Sequence, residues 1–243
     1  MIPLLDRSAH ARLLQLRDEM TNSGLQNIGD VFGPIGPDPD DPRPAPFRIL
    51  YVGRALRAGP HDSALDDYDN AVAWSTTTVH DYLVLRDPSS SFWAFIRSIV
   101  TRSLKALGHD PGSIDLEKVV GWSNLAKISD IRCNPCGTLL NDQADLCAEL
   151  LRAEIARAKP TIILVAVGDY ARQEVLHPVF GSDGWLHDAE KENQNAKQLS
   201  HPLASLVLWT NHPQGKGMGG PGYLKKSRAF CTDAIVSALR GGQ

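Results

Sequence analysis

Apolar residues along this chain gather in four short runs separated by longer amphipathic stretches. The runs are "FRILYVG" (47–53), "KVVGWSNLAKI" (118–128), "TIILVAVG" (161–168) and "LASLVLWT" (203–210). Each holds a short, nearly continuous apolar stretch, the pattern of a strand buried on both faces, and 118–128 reads as a strand together with its exit. Between them, apolar positions recur at helical spacing. Residues 8–22 carry Leu13, Leu14 and Met20 and end before Gly24. Residues 89–108 open on serines and close on Gly108, as helices do. Residues 141–160 place Leu146, Leu150, Leu151, Ile155 and Ala158 on one face and stop before Pro160. A closing helix is predicted over 222–241. Strands alternating with helices predict a parallel sheet covered on both sides. Segment 33–46 holds six prolines and reads as an arm or linker. The expected organisation is therefore an N-terminal helix and Pro-rich arm (1–46) before one α/β domain (47–243), with a loop rich in Asp, His and Ser after Gly53.

Composition changes this picture little. At 42% hydrophobic and 22% charged, the 243 residues suit one globular core. No apolar run approaches the roughly 20 residues of a membrane span, and the N-terminal stretch carries charges where a signal peptide would be apolar. Four cysteines point to reduced thiols and a cytoplasmic setting. The net charge of −3 gives no global sign of a polyanionic partner. Its distribution does: no Asp or Glu falls between Glu192 and Asp233, whereas Lys197, Lys216, Lys225, Lys226 and Arg228 do. A local basic face of this kind can hold phosphates.

In an open parallel sheet, ligands bind beyond the carboxyl ends of the strands. That rule selects the segments starting at Gly53, Ser123, Gly168 and Asn211. Of three His-Pro dipeptides, at His177, His201 and His212, only the last directly follows a buried strand. The glycine- and lysine-rich stretch after it is not a nucleotide-binding Walker loop, because no Gly-Lys-Ser/Thr occurs and it leaves the last strand rather than the first.

Taken in order, the glycine turn after 47–53, "SNLAKIS", "CAELLRAEIARAKPTIILVAVGDYA" and the strand ending in "NHPQG" resemble the motifs of the uracil-DNA glycosylase superfamily. "PSSSFWAFIRSIVTRSLKALG" is similar to the Phe-Trp helix of some of its branches, and the likeness spans about residues 47–240. The resemblance implies a three-layer α/β/α sandwich with a four-stranded parallel sheet. It also implies an enzyme that extrudes a base from DNA and hydrolyses its N-glycosidic bond, with no cofactor, as a monomer. On that footing His212 donates to the departing base, and Asn124 reads its hydrogen-bonding edge. Gly53 and Arg54 line the base pocket. Met218 wedges into the gap left by the base, and Lys216, Lys225 and Lys226 hold phosphates.

Departures from the family pattern matter as well. "GRAL" follows the first strand where relatives place Asp, Asn or Glu, so the water-activating carboxylate must lie elsewhere; the candidates are Asp87 and then Asp62. Asp66, Asp67 and Asp69 read as solvated loop acids. Gln214 replaces the usual serine. The altered pocket leaves the base open between uracil and a bulkier modified pyrimidine, such as the glucosylated hydroxymethylcytosine of phage DNA, which would give an antiviral role. Cys133 and Cys136 have metal-ligand spacing but no second pair, and no metal is expected. Two other classes stay open: a DNA-binding module of the same fold without the chemistry, and a hydrolase of small nucleosides or nucleotides.

Overall fold

The computed structural model describes residues 1–42, 45–55, 64–87, 89–181, 196–199, 204–213 and 222–241. Its centre is four parallel strands formed by the four apolar runs: β4 (Ile49–Gly53), β5 (Val120–Asn124), β7 (Ile162–Ala166) and β9 (Leu206–Thr210). They lie side by side as β5-β4-β7-β9, with Gly53 opposite Asn124, Tyr51 opposite Trp122 and Ile163 opposite Val207. Every residue of β4, β5 and β7 is buried, which is why these strands read as unbroken apolar runs.

The sheet is not limited to those four strands. It has seven, with β1 (Ile2–Pro3) and β3 (Ile35–Gly36) added antiparallel beyond β5, and β8 (Ala196–Leu199) added antiparallel beyond β9. Additions of two to four residues are too short to show a period in sequence. A separate two-stranded sheet pairs β2 (Ile28–Val31) with β6 (Ile128–Asp130). The Pro-rich stretch, expected as an arm, thus contributes β3, and residues 31–37 are all buried. Proline is tolerated there because β3 is only two residues long and Pro34 and Pro37 flank it.

Helices cover both faces. Tyr51 and Trp122 face one layer, with α2 (Tyr68–Leu83), α3 (Ser91–Ala106) and α6 (Tyr223–Gly241). Leu50, Val52, Ile163 and Val165 face the other, with α4 (Gly137–Ala158) and the helical turns at 172–176 and α5 (His177–Phe180). The protein is thus mixed α/β with a mostly parallel central sheet, compatible with a three-layer α/β/α arrangement. The N-terminal helix α1 (Arg7–Asn22) packs through Leu13 and Met20 on Leu139 and Leu150 of α4.

Helix α2 occupies part of the stretch expected as loop. Asp67 is its N-cap, accepting from the Asn70 amide, so this acid starts a helix rather than lying free in a loop. Asp66 is paired with Arg17 at 3.0 Å and Asp69 with Arg7 at 2.6 Å. No described helix is long and apolar enough to cross a membrane.

Candidate functional site

The four parallel strands all end on one side of the sheet, and a cavity of about 340 Å³ opens there beside β4 and β5, under α2 and α3. Gly53, Asn124 and His212, contributed by three different strand ends, all line it. The pairing of Gly53 with Asn124 explains the glycine: a Cβ at position 53 would lie 2.5 Å from Asn124 Oδ1 and 3.0 Å from Phe92 Cζ. Removing that one carbon lets the Asn124 amide and the Phe92 ring close over the strand. Asn124 is almost wholly buried, and its Nδ2 has no hydrogen-bond partner.

A network in the opposite layer holds Asn124 in place. Lys127 Nζ donates to the Asn124 carbonyl at 2.5 Å and to Ser123 Oγ at 2.8 Å, and lies 2.7 Å from Glu154 Oε1. Ser123 Oγ in turn donates to Glu154 Oε2 at 2.5 Å. Lys127 and Glu154 are both fully buried. Desolvation pushes the Glu154 carboxyl upward, and the neighbouring ammonium opposes it.

His212 stands at the exit of β9. Its ring stacks on Phe92 (centroids 5.8 Å apart), which itself stacks on Tyr51 (4.2 Å), and the Tyr51 hydroxyl donates to the Phe92 carbonyl at 3.0 Å. The Tyr223 hydroxyl, at the start of α6, donates to the carbonyls of His212 (3.1 Å) and Pro213 (3.3 Å), so strand exit and helix start are fastened together. Burial, and then the Arg54 charge, pull the His212 pKa from 6.5 down to about 4. The imidazole is therefore neutral at pH 7, able to donate through one nitrogen without carrying charge. Arg54 donates from Nε to the Val167 carbonyl at 2.8 Å, and its guanidinium passes beside Gly168, whose φ of +61° would strain any residue with a side chain. Desolvation lowers the Arg54 pKa.

Much of the remaining wall is aromatic, with Thr78, Ser89 and Ser90 among the other lining residues. Trp74, Thr78 and Tyr82 come from α2, Phe92 and Trp93 from α3, and Trp122 from β5. Tyr82 stacks on Trp93 at 5.7 Å, and Trp93 meets Trp122 edge-on at 5.0 Å. Apart from Phe92 and Trp93, which sit in the noted Phe-Trp helix, sequence reading gives no warning of this wall. A tryptophan at position 74 signals a cavity only once residues 68–83 are known to be helical.

No carboxylate lines the cavity among the described residues. Asp87 is not among the lining residues; it precedes the lining Ser89 by two residues, and Asp87 Oδ1 accepts the Ser89 amide at 2.7 Å. Hydrogen bonds from Ser89, and more weakly the Arg97 charge, hold its pKa below the usual carboxylate value. A carboxylate of this kind orients water as an acceptor more readily than it takes a proton. Lys225 and Lys226 are exposed in the first turn of α6. Asp62, Lys216 and Met218 lie outside the described residues. Cys133 and Cys136 are exposed, with Cys136 at the N-cap of α4, and no group of three or more metal-ligating side chains occurs among the described residues. Comparison with protein-family models and with curated proteins returns no match.

Proposed function

We propose that this protein is a DNA glycosylase that receives an extruded base in the strand-end cavity and hydrolyses its bond to the sugar. One observation carries the reading: Gly53, Asn124 and His212, far apart in sequence, line a single cavity of about 340 Å³ at the carboxyl ends of the parallel strands. Breaking the bond from base to sugar leaves negative charge on the base. The neutral His212 can donate a hydrogen bond to that developing charge, an interaction worth about 3–4 kcal/mol of barrier when the donor is preorganised. Asn124, which lines the cavity at the tip of β5, carries the amide that would meet the base edge once the base is seated. Phe92 supplies an apolar face, Arg54 a positive charge near the strand ends, and Asp87, or Asp62, the water-orienting carboxylate. The base is uracil or a bulkier modified pyrimidine. DNA phosphates would be held by Lys225 and Lys226, together with Lys216, while Met218 fills the vacated stack.

The described lining lacks a carboxylate, and this favours one second reading, a base-binding module of the same fold without chemistry. A panel of oligonucleotides separates the two. Each would carry uracil, a thymine mismatch, hypoxanthine or glucosylated hydroxymethylcytosine, and alkaline cleavage would report abasic sites. The glycosylase produces abasic sites from at least one of them, and His212→Ala lowers that rate by roughly a hundredfold or more while DNA binding persists. Binding to a modified oligonucleotide with no abasic product from any of them would establish the binding module instead.

A further inference from the structure

Ser90, the N-cap of α3, and Trp93 in its first turn line the strand-end cavity. The positions one turn further on, Ala94 and Arg97, line a second concavity of about 580 Å³, which continues along α3 past Thr101 and Arg102 to Lys105. At about 1.5 Å per residue, Ala94 to Lys105 spans about 16 Å of helix. Arg86, from the turn between α2 and α3, and Asp110 also line this groove. Four cations thus share it with one carboxylate, and that carboxylate is engaged in its own turn, where Asp110 Oδ1 accepts the Gly112 amide at 3.0 Å. Arg97 is half-buried and fixed, its Nη1 donating at 2.6 Å to the carbonyl of Tyr82, which lines the cavity. Arg86, Arg102 and Lys105 are exposed, and none forms an ion pair among the described residues. On α1, by contrast, the exposed Arg7 and Arg12 are matched by Asp69 and Glu149.

We propose that this groove carries the phosphodiester backbone of a single DNA strand beyond the nucleotide held at the cavity. The inference rests on the reading of the cavity as a base pocket, and two features favour this occupant. The first is charge: an uncompensated row of cations on a protein of net charge −3 attracts a polyanion locally, and guanidinium forks match phosphate oxygens in geometry. The second is continuity: groove and cavity follow one stripe of α3, and Arg97 fastens one to the other through Tyr82. A stacked strand carries a charge about every 3.4 Å, so the groove would pass about four or five phosphates, close to its number of cations. The charged stretch between Glu192 and Asp233 gave no hint of it, because these residues lie on another helix.

The test is fluorescence-anisotropy binding to unmodified single-stranded oligonucleotides over a range of salt. One has about 4 nucleotides, too short to leave the cavity mouth, and one has about 14, long enough to run the groove. Replacing Arg102 and Lys105 together by Ser should lower the slope of log affinity against log salt for the longer strand by about 1.4, two contacts at about 0.7 each. The shorter strand should respond little. Replacing Arg7 and Arg12 by Ser removes the same charge from α1 and should leave the slopes as in the wild type. All four side chains are exposed, and urea unfolding checks that both variants are folded. A slope that the groove variant leaves unchanged, or that the α1 variant lowers equally, overturns the groove. So does a wild-type protein that binds the longer strand no more tightly than the shorter. None of these outcomes decides the glycosylase reading, which stands or falls on the abasic products of the modified-base panel.

Discussion

His212 is acted on in one direction by two causes, which makes its titration a quantitative test of the site. Burial beside Phe92, and secondarily the Arg54 charge, lower its pKa from 6.5 to about 4. In the unfolded chain the imidazole titrates near 6.5. Between these values the unfolded state holds a proton that the folded state does not. The contribution to stability is therefore complete above pH 6.5 and is lost as the pH falls toward 4. A drop from 6.5 to about 4 corresponds to about 3 kcal/mol at full extent. Urea unfolding at steps from pH 7.5 to 4.5 measures it. Carboxylates and the buried His10, also lowered by desolvation, add their own acid dependence. The difference between wild type and His212→Asn isolates His212, and the variant should lose less stability in acid. Arg54→Met removes the smaller cause, so the His212 resonance should then titrate higher than in the wild type but still below 6.5. A wild-type His212 that titrates at or above 6.5 would refute both the burial argument and the neutral-donor role.

Other expectations follow from the same geometry. Gly53→Ala places a Cβ 2.5 Å from Asn124 Oδ1; unfolding experiments should show a loss of about 1–3 kcal/mol, typical of overpacking, and excision should fall more steeply than stability. Lys127→Met strands the Glu154 carboxylate in the core and should cost roughly 3–5 kcal/mol, whereas Lys127→Met with Glu154→Leu should unfold at a higher urea concentration than Lys127→Met alone. Replacing Lys225 and Lys226 together by Ala should reduce the slope of log affinity against log salt by about 0.9 for each duplex phosphate no longer neutralised, and an unchanged slope would place DNA on another face.

The central strands were legible because burial on both faces leaves an apolar run, and the strand-end rule then selected the segments that start at Gly53, Ser123, Gly168 and Asn211; within them Asn124 was picked out by the family resemblance rather than by position. Helix α2 was not legible. Its inward residues are Ala71, Ser75, Val79 and Leu83, correctly spaced but half of them small or polar, and they follow a run of acids. Those acids looked solvated because their partners are remote: Arg17 reaches Asp66 and Arg7 reaches Asp69 only after α1 has docked. The aromatic wall was hidden for the same reason, since Trp74 and Tyr82 belong to α2. Edge strands β1 and β3 span two residues each and carry no periodicity to detect. The spacing from Asn124 to Lys127 was visible, but that the lysine points inward to a buried glutamate was not.

That glutamate explains how one strand serves two layers. Along β5 the alternation of side chains sends Trp122 and Asn124 to the cavity and Ser123 to the opposite face, where Glu154 of α4 meets it. Lys127 then bridges Glu154 and Ser123 and also donates to the backbone carbonyl of Asn124. As a source of stability the arrangement is poor, because a buried ion pair is often no better than apolar residues of equal volume. As a constraint it is strong. A carbonyl held at 2.5 Å by a buried ammonium leaves the end of β5 little freedom to shift or rotate. The Asn124 amide is attached to that fixed backbone, and the missing Cβ of Gly53 gives it room across the sheet. In the proposed role the Asn124 N–H meets an acceptor on the base, and such an anchor would serve it, since hydrogen bonds weaken steeply with misalignment. The charge pair therefore belongs to the site's geometry even though it lies in the opposite layer.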